Sequence, residues 1–332
     1  MNRILFWIRN ARITALPQSI LPAIVAAVIA SSEASFSAGY ALLAIIGIIF
    51  AHLSCNLFDD YFDYKKKGVA IRNQMTSEGF RARIGKCTYI TSGQASLAQL
   101  RKVALLFGLC AAVCGLFVTL RWGWLILAFA LVGAILGYSY SGPPFRFSYH
   151  GMGEIIVALL FGPCLMSGLF FASSGIIPDS LWVFSVPIGL LAANILYTHD
   201  IMDFEADKKS GKKTLCVLLN NKIAIYTVAA LFIFFPYITI LLGVLISVIH
   251  PLFLLTYLTF PLAFTLFYLL VQFSKNPYRK FHPGWWMMPM EKWESIERNG
   301  IDWFMIRWYL ARNILMYFCI LIIIAHISSN SL

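Results

Sequence analysis

The stretch ALLAIIGIIFAHLSCNLFDDYFDYKKKG, residues 41–68, decides how the chain is read. It opens as an apolar run suited to hydrocarbon and ends with Asn56, Asp59, Asp60 and Asp63 inside eight positions, followed by Lys65, Lys66 and Lys67. A helix that carries its charge only at one end has that end at a membrane surface.

The rest of the chain agrees. Its 332 residues are 60% hydrophobic and 12% charged, with a mean hydropathy of +0.76, which excludes an ordinary soluble domain. Apolar stretches able to cross about 30 Å of hydrocarbon recur at 13–31, 38–58, 103–120, 124–140, 155–172, 181–197, 223–249, 251–273 and 308–327. The pattern predicts an all-α polytopic membrane protein, one domain over 1–332, with about nine transmembrane helices around a central cavity open to the cytoplasmic side. Arg3, Arg9 and Arg12 precede the first stretch as in a signal peptide, but no small-residue cleavage site closes it, so it is read as a retained helix.

A net charge of +11 would suggest nucleic acid in a soluble chain; in a membrane protein the question is which loops carry it. With nine helices, 25 of the 26 lysines and arginines fall on one side, and Arg121 alone falls on the other. The positive-inside rule then places the N-terminus and loops 59–102, 141–153, 198–222 and 274–312 in the cytoplasm, with the C-terminus outside. A bacterial inner membrane suits this reading, and nucleic acid is not an expected partner. The seven cysteines include no CxxC pair, so neither a disulfide nor a zinc framework is expected.

Asn56, Asp59, Asp60 and Asp63 are spaced i, i+3, i+4 and i+7, so a continuing helix puts them on one face. The device recurs in NILYTHDIMDFEADKKSGKKTL, residues 194–215, with Asp200, Asp203 and Asp207 at i, i+3 and i+7, beside His199 and Glu205. Seven of the fifteen acidic residues lie in these two segments. Carboxylates a turn apart repel one another, more so beside a low-dielectric slab, so a counter-ion is expected. Hard divalent cations prefer oxygen, and Mg²⁺ is commonly shared between carboxylates and a substrate's phosphates. Lys65 to Lys67, and Lys208, Lys209, Lys212 and Lys213, follow the two clusters and complete a diphosphate site. Such a site makes diphosphate a leaving group, because metal and ammonium charge stabilise the charge developing on its oxygens.

At these residues the chain resembles the UbiA superfamily of intramembrane prenyltransferases, whose two aspartate-rich motifs are similar to NLFDDYFDYKKKG and DIMDFEADKKSGKKTL. YSGPPFRFSYHGMGEIIVALLFGP, residues 140–163, and TSGQASLAQLRKVALLFG, residues 91–108, resemble the menaquinone branch, the 1,4-dihydroxy-2-naphthoate polyprenyltransferases. The resemblance covers residues 10–270. It implies an all-helical membrane fold, Mg²⁺ as cofactor, and transfer of a prenyl chain from polyprenyl diphosphate to an aromatic acceptor. By position Asn56, Asp60 and Asp63 match the first motif, and Asp203 and Asp207 the second; His199 stands where many members have an acid or asparagine.

The candidate metal ligands are therefore Asp59, Asp60, Asp63, Asp200, Asp203 and Asp207; substrate binding is assigned to Asn56, Lys65, Lys66, Lys208, Lys212, Lys213 and His199. Asp60 and Asp203 are candidate catalytic residues, joined by Tyr140, whose ring faces an allylic cation, and Arg146, which can hold an acceptor carboxylate. Glu154 reads as a helix N-terminal charge or as a contact to the acceptor. Residues 69–102 read as a cap or a plain loop, and the Trp- and Met-rich 281–304 as an interfacial helix. Within the superfamily 4-hydroxybenzoate, haem and glycerol phosphate are alternative acceptors. A divalent-cation or small-molecule transporter is the alternative of another class, but no span carries a carboxylate at its middle. A CDP-alcohol phosphotransferase lacks support because its DGxxAR start is absent.

Overall fold

A computed structural model describes residues 3–65, 87–277, 279–287 and 289–331. Among them lie nine apolar helices: α1 (Pro17–Ala30), α2 (Ala38–Lys65), α3 (Leu97–Trp122), α4 (Trp124–Ser139), α5 (Gly153–Ser174), α6 (Trp182–Met202), α7 (Lys222–Leu245), α8 (Phe260–Lys275) and α9 (Asp302–Ser329). Seven of the spans are long and apolar enough to cross a membrane, α6 and α8 counting with the 3₁₀ turns that lead into them. α1 and α4 have 14 and 16 residues, roughly 21 and 24 Å at 1.5 Å per residue, so the nine positions read from sequence fall into two length classes. The helices are the chain's answer to lipid, since a backbone in hydrocarbon must satisfy its own hydrogen bonds.

Each helix packs on its neighbour in the chain, and α9 packs back on α1, so the nine form a closed ring. Local sequence sets the corners. Ser96 and Gln99 form a capping box that starts α3. Gly123, with φ 80° and ψ −163°, is the single residue between α3 and α4, and the two helices fold back on one another. A π turn at Leu160–Cys164 interrupts α5 at Pro163, which has no N–H to give. Beside it Gly162 and Gly189 let α5 and α6 touch backbone to backbone: a Cβ on Gly162 would stand 2.3 Å from the Ser185 carbonyl oxygen.

α6 is the most enclosed helix, wrapped by α5, α7 and α9. Its buried face, with Ile188, Leu191, Ile195 and Tyr197, belongs to one apolar core shared with Phe170, Tyr237, Leu266 and Phe318. Leu105, Leu109, Phe117 and Leu120 on α3 point outward, as residues facing lipid do. The expected interfacial helix over 281–304 is instead a 3₁₀ turn at Trp285–Met287 and a short helix at Trp293–Arg298. α9 ties this segment down: Asn313 donates to the carbonyls of Met287 and Pro289, and Tyr309 to that of Glu291.

Candidate active site

α2 stays helical to Lys65, so Asn56, Asp59, Asp60 and Asp63 share one face, as their spacing predicts. Each is already engaged. The Arg12 guanidinium reaches both Asp59, at 3.0 Å, and Asp60. Ser141 donates to Asp59, the Tyr89 hydroxyl to Asp60 at 3.0 Å, and the Tyr149 hydroxyl to Asp63. Asn56 donates to the Ala11 carbonyl at 2.9 Å, which ties the segment carrying Arg12 to α2. Burial alone would lower the Arg12 pKa, but Asp60 and Asp59 reverse this and hold it above its ordinary value. The same surroundings, burial first and the Asp60 charge next, push the Tyr89 phenol up, so it remains a donor.

The second motif differs from its expected shape. α6 ends at Met202, Asp203 caps it with φ −95° and ψ 7°, and a new short helix runs over Phe204–Lys209. One continuous helix was the premise of the i, i+3, i+7 register, and the bend at Asp203 removes it. The bend keeps its hydrogen bonds, Asp203 N–H to the His199 carbonyl and Asp207 N–H to the Asp203 carbonyl. His199 Nδ1 lies 3.1 Å from Asp203 Oδ2, and its ring stands edge-on to Phe304. Asp200 and Asp207 are buried, and Asp200 Oδ1 and both Asp207 carboxylate oxygens have no hydrogen-bond partner among the described residues. Lys212 Nζ is 3.9 Å from Asp207. Glu154 is also buried, and its Oε1 has no hydrogen-bond partner among the described residues.

One segment joins the two motifs. Among the described residues α2 and α6 do not pack along one another, but residues 140–153 reach the acids of α2 and the segment beyond α6. Ser141 and Tyr149 bond the acids of α2, while His150 pairs by its backbone with Lys213. Gly151 makes this pairing possible: its φ is +73°, and a Cβ there would stand 2.1 Å from Leu218. Tyr140 lies at the seam, with its ring against Gly153. Burial, and after it the charges of Asp59, Asp200, Glu154 and Asp63, hold its phenol well above the ordinary range.

The remaining candidates are more dispersed. Arg146 is half-buried with φ 49°, and its carbonyl meets the His150 ring at 3.0 Å. Lys65, Lys208 and Lys213 are exposed; Lys208 lies 3.4 Å from Asn220. Lys66, and residues 69–86 of the expected cap, lie outside the described residues. Tyr89, from the described part of that cap, closes on Asp60. The six acids do not form one coordination sphere: among the described residues no three His, Cys, Asp or Glu side chains converge to hold a metal ion. The reason is visible in the partners named above, with Arg12 and three hydroxyls on the first motif and His199 on Asp203. The donor set itself, buried carboxylate oxygens without a hydrogen-bond partner on Asp200 and Asp207, fits a hard divalent cation.

Sequence reading missed Arg12, Ser141, Tyr89 and Tyr149 as partners of the acids. Arg12 reads from sequence as one of three basic residues before the first apolar stretch. No local pattern could have paired residues 47 or 86 positions apart.

The sequence pattern of the UbiA prenyltransferase family matches residues 19–286. The chain belongs to this family. It is a prenyl-transferring enzyme built into the membrane. The 1,4-dihydroxy-2-naphthoate octaprenyltransferase of Bacillus subtilis is 27% identical over 222 residues, 65% of this chain and 67% of that protein. The 2-carboxy-1,4-naphthoquinone phytyltransferase of Synechocystis is 36% identical over 120 residues, 35% of this chain and 39% of that protein. In fold, the chain resembles a UbiA homolog from Archaeoglobus fulgidus bound to GPP and Mg²⁺. The TM-score is 0.57 at 18% identity, over 95% of this chain and 99% of that one.

Proposed function

We propose that this UbiA-family protein transfers a polyprenyl group from polyprenyl diphosphate to 1,4-dihydroxy-2-naphthoate, in menaquinone biosynthesis. The observation that carries the reading is the seam at residues 140–153, which bonds the acids of α2 and pairs with the lysine-rich segment that follows the second acidic motif. The naphthoate acceptor is supported by the names of the Bacillus and Synechocystis relatives.

Asp60 and Asp63 from α2, with Asp203 and Asp207 beyond α6, would hold Mg²⁺, and Asp59 and Asp200 flank them. When bound, the metal neutralises diphosphate and eases its departure. Lys212, beside Asp207, adds ammonium charge, and Lys65, Lys66, Lys208 and Lys213 would supply more. Asn56 and His199 would hydrogen-bond the diphosphate in exchange for their present partners, the Ala11 carbonyl and Asp203.

The allylic C–O bond breaks, and its electron pair leaves on the diphosphate. Tyr140, kept protonated, turns a π face or a hydroxyl toward the allylic fragment without becoming a competing nucleophile. Arg146 holds the acceptor carboxylate. The acceptor ring supplies the electron pair of the new C–C bond at its carboxylated carbon. Loss of carbon dioxide returns the C–C pair to the ring, which regains aromaticity without a proton being removed.

The test is product mass spectrometry on purified protein with Mg²⁺, a polyprenyl diphosphate, and either 1,4-dihydroxy-2-naphthoate or 4-hydroxybenzoate, with an EDTA control. A metal-dependent demethylmenaquinol mass is expected. Prenylated benzoate alone would overturn the acceptor, and no metal-dependent diphosphate release with any donor length would overturn the reaction.

A further inference from the structure

On the outer side of the ring, away from both acidic motifs, α8 and the segment before α9 enclose a groove of about 380 Å³. Phe264, Tyr268 and Leu269 form one wall, and Phe281, Trp286 and Met287 the other. Phe264 and Tyr268 are exposed, and so is Trp285 beside the groove, which is 84% exposed. Along α8 the groove begins about 16 Å before Lys275, eleven residues at 1.5 Å each. One end is thus mainly apolar, the Thr265 hydroxyl there donating to the Pro261 carbonyl of its own helix, while the other opens where the chain leaves the helix.

That other end is cationic. Lys275, Arg279, Lys280 and His282 lie within eight residues that contain no acid. Among the described residues Lys275, Arg279 and Lys280 make no ion pair, and only His282 has a carboxylate, Glu297 at 3.2 Å. Arg279 is held at the groove by its bond to Gln272 and by its guanidinium 5.1 Å over the Phe281 ring. Behind the wall sits Arg307, fully buried, donating to the Leu269 carbonyl and lying 5.9 Å from the Phe281 ring. Its Nη2 has no hydrogen-bond partner among the described residues, and no carboxylate contacts it there. An apolar slot, a tryptophan at its mouth and a cluster of cations call for an occupant that is hydrocarbon at one end and anionic at the other.

We propose that this groove is a binding site for one anionic phospholipid of the surrounding bilayer. An acyl chain lies along Phe264, Tyr268 and Trp286, and the phosphate meets Arg279 and Lys280. A zwitterionic headgroup fits less well, because it would bring its own cation to the same cluster.

The experiment uses the full chain in nanodiscs doped with either brominated phosphatidylglycerol or brominated phosphatidylcholine, and reads tryptophan fluorescence. Subtracting the signal of Trp286→Phe isolates the groove. The anionic lipid is expected to quench this difference signal at least threefold more strongly at equal mole fraction, and the double variant Arg279→Gln, Lys280→Gln is expected to equalise the two lipids. The double variant is scored with its remaining tryptophans unshifted, which shows that it is folded. Equal quenching by both lipids in the native chain would overturn the proposal and leave ordinary boundary lipid. So would an absence of quenching by either, the result expected if a second copy of the chain covers the groove.

Discussion

Arg12 holds Asp59 and Asp60 together as a metal ion would, and it does so from a residue in the left-handed region, φ 60°. Its side chain is 25% exposed and that of Asp60 4%, so the pair is only partly desolvated. Losing the guanidinium leaves a buried carboxylate under-compensated, at a cost of about 2 kcal/mol, below the ~3–5 of a fully buried pair. Arg12→Gln should therefore melt a few degrees lower than the native protein in EDTA, and Mg²⁺ should recover most of the loss. A melting point that is low and indifferent to Mg²⁺ would show that no cation takes the place of Arg12. Tyr149→Phe removes one hydrogen bond to a charged acid, worth about 1.5–3 kcal/mol, and should weaken turnover about tenfold while membrane insertion stays normal. Asp203→Ala should abolish diphosphate release, and full activity in that variant would sink the assignment of the second motif.

Among the elements, residues 140–153 tie α2 to the segment that follows the second acidic motif, and Gly151 is the point where this succeeds. Alanine there must adopt φ +73°, costing about 1–2 kcal/mol, and must also displace Leu218. Gly151→Ala should lower kcat at unchanged folded yield, because it loosens the seam and leaves the bundle alone. By contrast, Gly162→Val forces apart α5 and α6 and should reduce folded yield itself. These two glycines divide what sequence could and could not show. The helices were legible because lipid demands long apolar runs, and the acids of α2 because a helix fixes their spacing. The seam was not legible, since a loop obeys no period and its partners lie in distant segments. The bend at Asp203 escaped for a related reason: nothing in HDIMDFEAD marks a break, and tertiary packing decides it.

For the whole molecule, the ring constrains how the chain threads the bilayer. Ser32, after α1, meets His326 and Asn330, near and just past the end of α9, at 3.0 and 2.7 Å, so α1 and α9 run the same way. Arg12, before α1, meets the far end of α2, so α1 and α2 run oppositely. Both facts support an odd number of traverses with the short α1 and α4 included, for which the charge bias predicts acidic motifs on the inner face. In a cysteine-free background, Asn330→Cys should react with an impermeant maleimide in intact cells, whereas Ser210→Cys should react only after permeabilisation. The reverse pattern would invert the orientation and move the donor site to the outer face.

The bridge from Arg12 to Asp59 spans 47 positions of a chain made from its N-terminus. By the time the aspartates leave the ribosome, their positive partner is already synthesised and waiting at the same surface. The second helix can therefore be lodged in the bilayer with the charge of two of its three aspartates partly offset from within the chain.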